Sequence, residues 1–310
     1  MTEHTGYMHR KYAESLSEHG EVRFLQKSGS LILERQIPES PYRDAIGCYP
    51  LFACSDWDHL ESDLNELDGL VSLSLVADPF GNYELEDLRR CFRDVIRPFK
   101  THYVVDLTRG RHHISPHHRR NIRKAARFLD VTKCDSPKRL EPLLQSLYDG
   151  LLARHKICGI AAFSHQALQR QLGVPGLVVF QAQHSSIPVG MHIWYVGGRV
   201  AYYHMGACDN LGYASGASFA LMDFALDYFA ERTVTWLNLG GAPGLDDDAS
   251  SGLARFKRGW ATNTRTVYFC GRILNPGAWA DLLPVRGDAN NLYFPQYRAA
   301  SPVYLRALGS

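Results

Sequence analysis

The sequence predicts an α/β protein of the mixed-sheet (α+β) kind, and three observations carry that expectation. Strand-compatible and helical segments alternate between residues 29 and 107, as they do where helices cover a sheet. Beyond Val131 the order reads helix, helix, three strands, helix, strand, helix, strand. The helix in the middle of that order, residues 215–230, is apolar on nearly every side, so it is expected to be buried.

Taken in order, residues 1–29 are polar and predict a loosely attached helix. Gly29 to Ile37 reads as a strand that stops at Pro38. Ile46 to Cys54 is apolar but contains Pro50, which lacks a backbone donor and points to an edge strand or loop. Asp56 is placed to cap a helix through about Leu67, with Leu60, Leu64 and Leu67 on one face. Val71 to Val76 predicts a half-buried strand, Tyr83 to Ile96 an amphipathic helix, and His102 to Leu107 another strand. In the second half, helices are expected over 136–155 and 164–172, and strands over 177–183, 188–195 and 199–207. The buried helix 215–230 is followed by a strand at 234–239, a short helix at 252–258 and a strand at 265–273.

Between Arg109 and Arg127 seven basic residues occur with no acidic one: Arg109, Arg111, Arg119, Arg120, Arg123, Lys124 and Arg127. Ser115 and Pro116 start a helix there, serine as cap and proline in the first turn. Arg119, Arg123 and Arg127 then share a stripe suited to phosphates, or simply to solvent. His112, His113, His117 and His118 have no carboxylate or cysteine beside them, so no metal site is expected.

Over the 310 residues the net charge is +2, too small to mark a nucleic-acid or membrane partner by itself. The seven cysteines are scattered, with no CxxC pair. That pattern predicts reduced thiols and a cytoplasmic setting. No apolar run reaches membrane-spanning length and no signal peptide is visible.

One stretch stands apart. Trp236 to Gly244 runs from a strand into a glycine break at Gly240, Gly241 and Gly244, followed by an acidic loop at Asp246, Asp247 and Asp248. A short helix then carries Arg255, Lys257 and Arg258, with Phe256 and Trp260 to anchor it. A strand end, an open glycine loop and a cationic helix suit the holding of a developing oxyanion, or a plain surface loop.

The order of elements, with these residues, resembles the GNAT acyltransferase fold, and more narrowly the branch of the Fem aminoacyltransferases. The resemblance rests on His118-Arg-Arg-Asn-Ile-Arg-Lys-Ala-Ala-Arg127, on Leu147 to Arg154, and on Leu239-Gly-Gly followed by Gly252-Leu-Ala-Arg-Phe-Lys-Arg-Gly-Trp260. It implies two tandem GNAT-like lobes: a degenerate first lobe at 1–114, the Fem-like domain at 115–275, and a tail at 276–310 that packs back on them. It further implies that Lys257 stabilises charge on the reacting ester, with Tyr203 and His204 as groups that shuttle the amine proton. Strands near 201–207 and 234–239 should diverge within one sheet, and the basic helix 116–128 should lie where the lobes meet.

For the donor and substrate, the resemblance points to Arg154, Gly212, Ala214, Asn238, Gly240, Gly241, Arg119 and Arg123. The expected co-substrate is aminoacyl-tRNA or acyl-CoA, with no permanently bound cofactor, no metal and no DNA partner. Acyl-CoA enzymes of the fold carry a cation where this chain has Asp209, and a carboxylate repels pyrophosphate. That departure favours an aminoacyl donor, with tRNA as a partner and a small-molecule or peptide amine as acceptor. The function implied is N-acyl or N-aminoacyl transfer. The other reading is a catalytically inactive GNAT-fold module docking RNA, nucleotide or protein through the basic helix.

Overall fold

The computed structural model describes residues 4–242, 248–283 and 293–299. Gly244, Asp246 and Asp247 of the glycine-rich stretch lie outside the described residues, as do 284–292 and 300–310 of the tail. Along the chain come α1 (Arg10–Ser15), β1 (Glu21–Leu25), β2 (Ser30–Gln36), β3 (Arg43–Gly47), α2 (Leu60–Asn65), β4 (Leu70–Val76), α3 (Leu85–Cys91) and β5 (Val95–Asp106). There follow α4 (Pro116–Ala125), β6 (Leu129–Lys133), α5 (Glu141–His155), α6 (His165–Gln171), β7 (Leu177–His184), β8 (Ile187–Gly197) and β9 (Val200–Cys208). The chain continues through α7 (Asn210–Ser215), α8 (Ala217–Ala230), β10 (Trp236–Asn238), α9 (Gly252–Arg258), β11 (Asn263–Ile273) and α10 (Pro276–Leu282).

Two compact units form. One comprises residues 1–9, 100–157 and 163–266; the other comprises 10–99, 158–162 and 267–310. The chain passes from one to the other inside β5 and again inside β11.

In the first unit the strand order is β5-β10-β9-β8-β7-β6. Strands β6 to β9 pair antiparallel, β10 is parallel to β9, and β5 is antiparallel to β10. The core lies on the sheet face covered by α8, where Trp194, Leu221, Ala225 and Phe229 are buried with Ala254 and Trp260. Pairing between β9 and β10 is short: Trp236, Leu237 and Asn238 face Val200, Ala201 and Tyr202. Beyond that, Leu239 and Gly240 stay with β5 through the Leu239 N–H to Tyr103 O and Tyr103 N–H to Gly240 O bonds. Strand β9 instead continues beside β8 to Cys208. The two strands therefore part within one sheet, as expected.

In the second unit β1, β2 and β3 form an antiparallel run, β4 lies parallel to β3, and β11 runs antiparallel to β4. Helices α2 and α3 cover a core that includes Phe52, Trp57, Leu64, Leu73 and Leu88.

Several expectations need correction. Residues 1–29 hold α1 and β1, and Tyr12 and Ala13 are fully buried, so the segment is not loose. Of Ile46 to Cys54, expected as an edge strand or loop, Ile46 and Gly47 end β3, which sits between β2 and β4, while 48–54 with Pro50 are loop apart from a bridge from Phe52 to Ala77. Strand β4 is buried from Leu70 to Leu75, on both faces; on the serine face the Ser72 hydroxyl is bonded to the Tyr297 hydroxyl at 2.7 Å. The helix expected to Ile96 stops at Cys91. Pro98 cannot extend a helix, and β-branched Val95 and Ile96 favour the strand that follows. The helix 215–230 divides at Gly216, whose φ of +79° is left-handed.

Candidate active site

Helix α9 is built to hold one buried cation. The Ser251 hydroxyl caps it by accepting the Ala254 N–H at 3.2 Å. Phe256 and Trp260 lodge it in an aromatic cluster with Phe219 of α8. Arg255 and Arg258 are exposed, whereas Lys257 is 7% exposed. Its Nζ donates to the carbonyl oxygen of Gly241 at 2.6 Å. Gly240, with φ +75°, makes the turn possible; a Cβ there would lie 3.2 Å from Lys257 Nζ. Burial, with the like charge of Lys100 second, brings the Lys257 ammonium down to about 7.

The same turn is tied to β5. Asn238 is 2% exposed, and its Oδ1 accepts both the Gly240 N–H and His102 Nδ1–H, each at 3.0 Å. Lys100 Nζ donates to the Ala242 carbonyl at 2.7 Å. The structure thus gathers Lys257, Asn238, Gly240 and Gly241, all expected from sequence. It adds Lys100 and His102, which sequence reading missed. A polar residue at a buried strand position, Asn238, was the only local signal that β5 would bring partners there.

Tyr203 and His204 sit in different surroundings. Between Ile193 and Trp194 the β8–β9 register slips, leaving His204 as the extra residue of a bulge. Tyr203 points to the α8 side, against His192 and Trp194, and burial holds its phenol above the usual range. His204 lies on the opposite face with Tyr7, Phe163 and Tyr195. Its Nδ1 accepts from the Tyr7 hydroxyl and its Nε2–H donates to Gln171 Oε1, both at 3.1 Å. Burial pushes it down to about 3, so it is a neutral, doubly bonded imidazole at physiological pH.

The start of α7 is occupied by the chain itself. The Asp209 carboxylate accepts the Gly212 N–H at 2.7 Å, spending that donor as a cap. A Cβ on Gly212 would strike the Val189 carbonyl, so close helix–strand packing requires this glycine. Ala214 is exposed. Arg154 donates to Asn210 Oδ1 at 2.7 Å and stacks on the Tyr213 ring at 3.8 Å.

On α4 the Ser115 cap forms as expected. Arg119 and Arg123 are exposed beside a hollow of about 600 Å³, into which Arg111 and Asp223 also face. Arg111 is neutralised by Asp223 and Asp227. The Arg119 guanidinium donates to the His112 carbonyl at 2.5 Å.

His118 turned out to be a strut. It is 4% exposed, its Nε2–H donates to the Phe256 carbonyl at 2.8 Å, and its Nδ1 accepts from the Ser115 hydroxyl at 2.8 Å. Ser115 N–H also donates to the Gly259 carbonyl at 3.0 Å. A Cβ on Gly259 would run into the His118 ring. The start of α4 therefore clamps the last turn of α9, on either side of Lys257. His118→Ala is expected to lower stability by about 2–4 kcal/mol, the scale of a lost buried ring plus its hydrogen bond. Urea denaturation reads this directly; a loss under about 0.5 kcal/mol would mean the clamp carries no weight.

Among the described residues no group of His, Cys, Asp or Glu is arranged to hold a metal ion, and no helix is long and apolar enough to cross a membrane. The parting of β9 and β10 beside buried α8 is the GNAT-type mixed α/β arrangement. Solved structures share it. FemX superposes with a TM-score of 0.64 at 14% identity, over 88% of this chain and 93% of FemX. L-PGS from Bacillus licheniformis gives 0.58 at 15% identity, over 88% and 93%. A domain assigned to a lysylphosphatidylglycerol synthetase of Agrobacterium fabrum gives 0.57 at 16% identity, over 89% of each chain. No family model matches the chain, and no curated protein does.

Proposed function

We propose that this chain is an N-acyltransferase that moves an acyl or aminoacyl group from an activated ester or thioester to an amine. The observation that carries the reading is the buried Lys257 ammonium, held on the glycine turn where β10 leaves β9. The amine nitrogen attacks the donor carbonyl, and the carbonyl oxygen gains negative charge. Lys257 offsets that charge in a site poor in water, where an ammonium counts for more than at the surface. The tetrahedral centre then collapses, the donor hydroxyl or thiol leaves, and the proton lost by the amine goes to it. The structural likeness to FemX and L-PGS supports the same class of chemistry.

An aminoacyl ester carried on tRNA is favoured over acyl-CoA as donor. Asp209 already fills the first turn of α7 with its own carboxylate, where a pyrophosphate would meet repulsion. Exposed Arg119 and Arg123 supply cations for an RNA backbone, and Arg154 with Tyr213 a face for a base. In this reading residues 115–275 form the transferase domain, 1–114 a degenerate lobe, and 276–310 a tail, in a cytoplasmic enzyme.

Single-turnover assays with aminoacyl-tRNA, acyl-CoA and a panel of amines, read by mass spectrometry, test the assignment. Transfer from aminoacyl-tRNA is expected, with affinity that falls as salt rises and a log–log slope smaller by about one in Arg119→Ala. RNA binding without transfer from any donor would instead make the chain a binding module.

A further inference from the structure

Asn238 is the last residue of β10 to pair with β9, opposite Tyr202, and beyond it the two strands part. It is 2% exposed, so each polar atom of its amide needs a partner inside the protein or on a ligand. Oδ1 has two, the Gly240 N–H and His102 Nδ1–H, each at 3.0 Å. Nδ2 has no hydrogen-bond partner among the described residues.

The amide cannot be turned over to relieve this. A backbone N–H only donates, so the atom that meets Gly240 is the oxygen, and His102 Nδ1 must then carry its proton. The fold thus commits two donors to fixing one carbonyl and leaves a buried NH₂ group unmatched. With Oδ1 drawn to His102 of β5, the other arm of the planar group is left for the β9 side, where the strands part. Asn238 and Lys257 meet at one residue: Gly240 donates to Asn238 Oδ1, and a Cβ on Gly240 would lie 3.2 Å from Lys257 Nζ.

We propose that the Asn238 amide is a second donor to the acyl carbonyl oxygen, beside Lys257. The role rests on the acyl-transfer reading. Lys257 brings charge and Asn238 brings direction. An amide N–H donates at any pH, and one already held by Gly240 and His102 needs no reorganisation as the oxyanion forms. Asn238→Asp keeps an oxygen for Gly240 and His102 but replaces the donor by an acceptor. It should lower kcat by about 10²–10³-fold, the loss of one oxyanion donor, with less change in KM. A carboxylate beside Lys257 favours the ammonium, so the pH at which Lys257 loses its proton should rise while the maximal rate falls. That combination separates the loss of a donor from damage to Lys257.

A second arm needs neither variant nor turnover. The full chain, labelled with ¹⁵N and ¹³C, is titrated with puromycin, a stable amide analogue of an aminoacyl-adenosine, and with acetyl-CoA. Puromycin aminonucleoside and CoA, which lack the acyl carbonyl, are the controls. The Asn238 NH₂ signals, assigned through the residue's own backbone, are followed by NMR. A saturable downfield shift of one amide proton is expected with puromycin or acetyl-CoA and not with the controls, and the probe that gives it names the kind of donor. No shift from either carbonyl probe, an equal shift from the controls, or a folded Asn238→Asp with near-normal kcat overturns the role. The shift without transfer from any donor would overturn the acyl-transfer reading and leave Asn238 as a carbonyl-binding amide.

Discussion

Lys257→Ala is expected to fold normally and to lower single-turnover transfer by about two to four orders of magnitude, the scale of losing an oxyanion partner. The side chain sits on a helix secured by Ser251, Phe256, Trp260 and the His118 clamp, none of which the substitution touches. Removing a buried ammonium also removes its desolvation cost, so the fold loses little. Lys257→Arg should be nearly as poor as alanine, because a bulkier planar guanidinium does not replace a compact, buried ammonium held on the Gly241 carbonyl at 2.6 Å. Circular dichroism controls for folding. A well-folded alanine variant with near-normal turnover would reduce Lys257 to a buried structural charge.

The same lysine sets a pH dependence whose sign follows from its lowered value of about 7. Below that pH the ammonium is present; above it the proposed partner of the oxyanion is lost. In that mechanism transfer should therefore fall as pH rises through about 7, against the opposing rise as the acceptor amine loses its proton. Stability moves the other way. Between about 7 and the ordinary lysine value the unfolded chain binds the extra proton, so ΔG of unfolding rises with pH across that window. A rate profile with no basic limb near 7 in wild type, or the same limb in Lys257→Ala, would detach the profile from this residue.

How much of this was legible in the sequence differs from residue to residue. The burial of Lys257 could be read, because Phe256 and Trp260 flank it on a short helix and Gly240 and Gly241 precede it. The strand order 177–273 could be read from its turns and periodicity. Lys100 and His102 could not, since they reach the turn only through the β5–β10 pairing of segments more than a hundred residues apart in the chain. Tyr203 and His204 are adjacent in sequence, yet neighbouring strand residues face opposite sides. The bulge at His204 did not bring them together: one meets Trp194, the other Tyr7 and Gln171. Of the four clustered histidines His118 is buried, and only the meeting of α4 with α9 reveals why.

The largest expected effect on stability lies in the second unit, at Asp44. Its carboxylate is fully buried and is gripped from two sides. Arg35 donates to it at 3.0 and 3.1 Å, and Arg298 at 2.5 and 2.8 Å. The Tyr297 hydroxyl donates to Oδ2 at 3.1 Å, and Arg298 also reaches the Gln36 carbonyl at 3.0 Å. Residues 293–299, remote in sequence, are thus fastened to β2 and β3 by one carboxylate. A buried ion pair contributes little beyond a well-packed apolar core, yet removing one partner leaves the others charged and unpaired. Here both guanidiniums bond this carboxylate, so Asp44→Ala is expected to cost about 3–5 kcal/mol and to free the 293–299 segment to proteases. Asp44→Asn keeps the shape and loses the charge, and should recover only part of the loss. Arg298→Met is expected to be milder, because Arg35 still neutralises Asp44. Urea midpoints for the three variants give the order Asp44→Ala, Asp44→Asn, Arg298→Met from most to least destabilised; an Arg298→Met variant as unstable as Asp44→Ala would mean that Arg35 alone cannot satisfy the buried carboxylate.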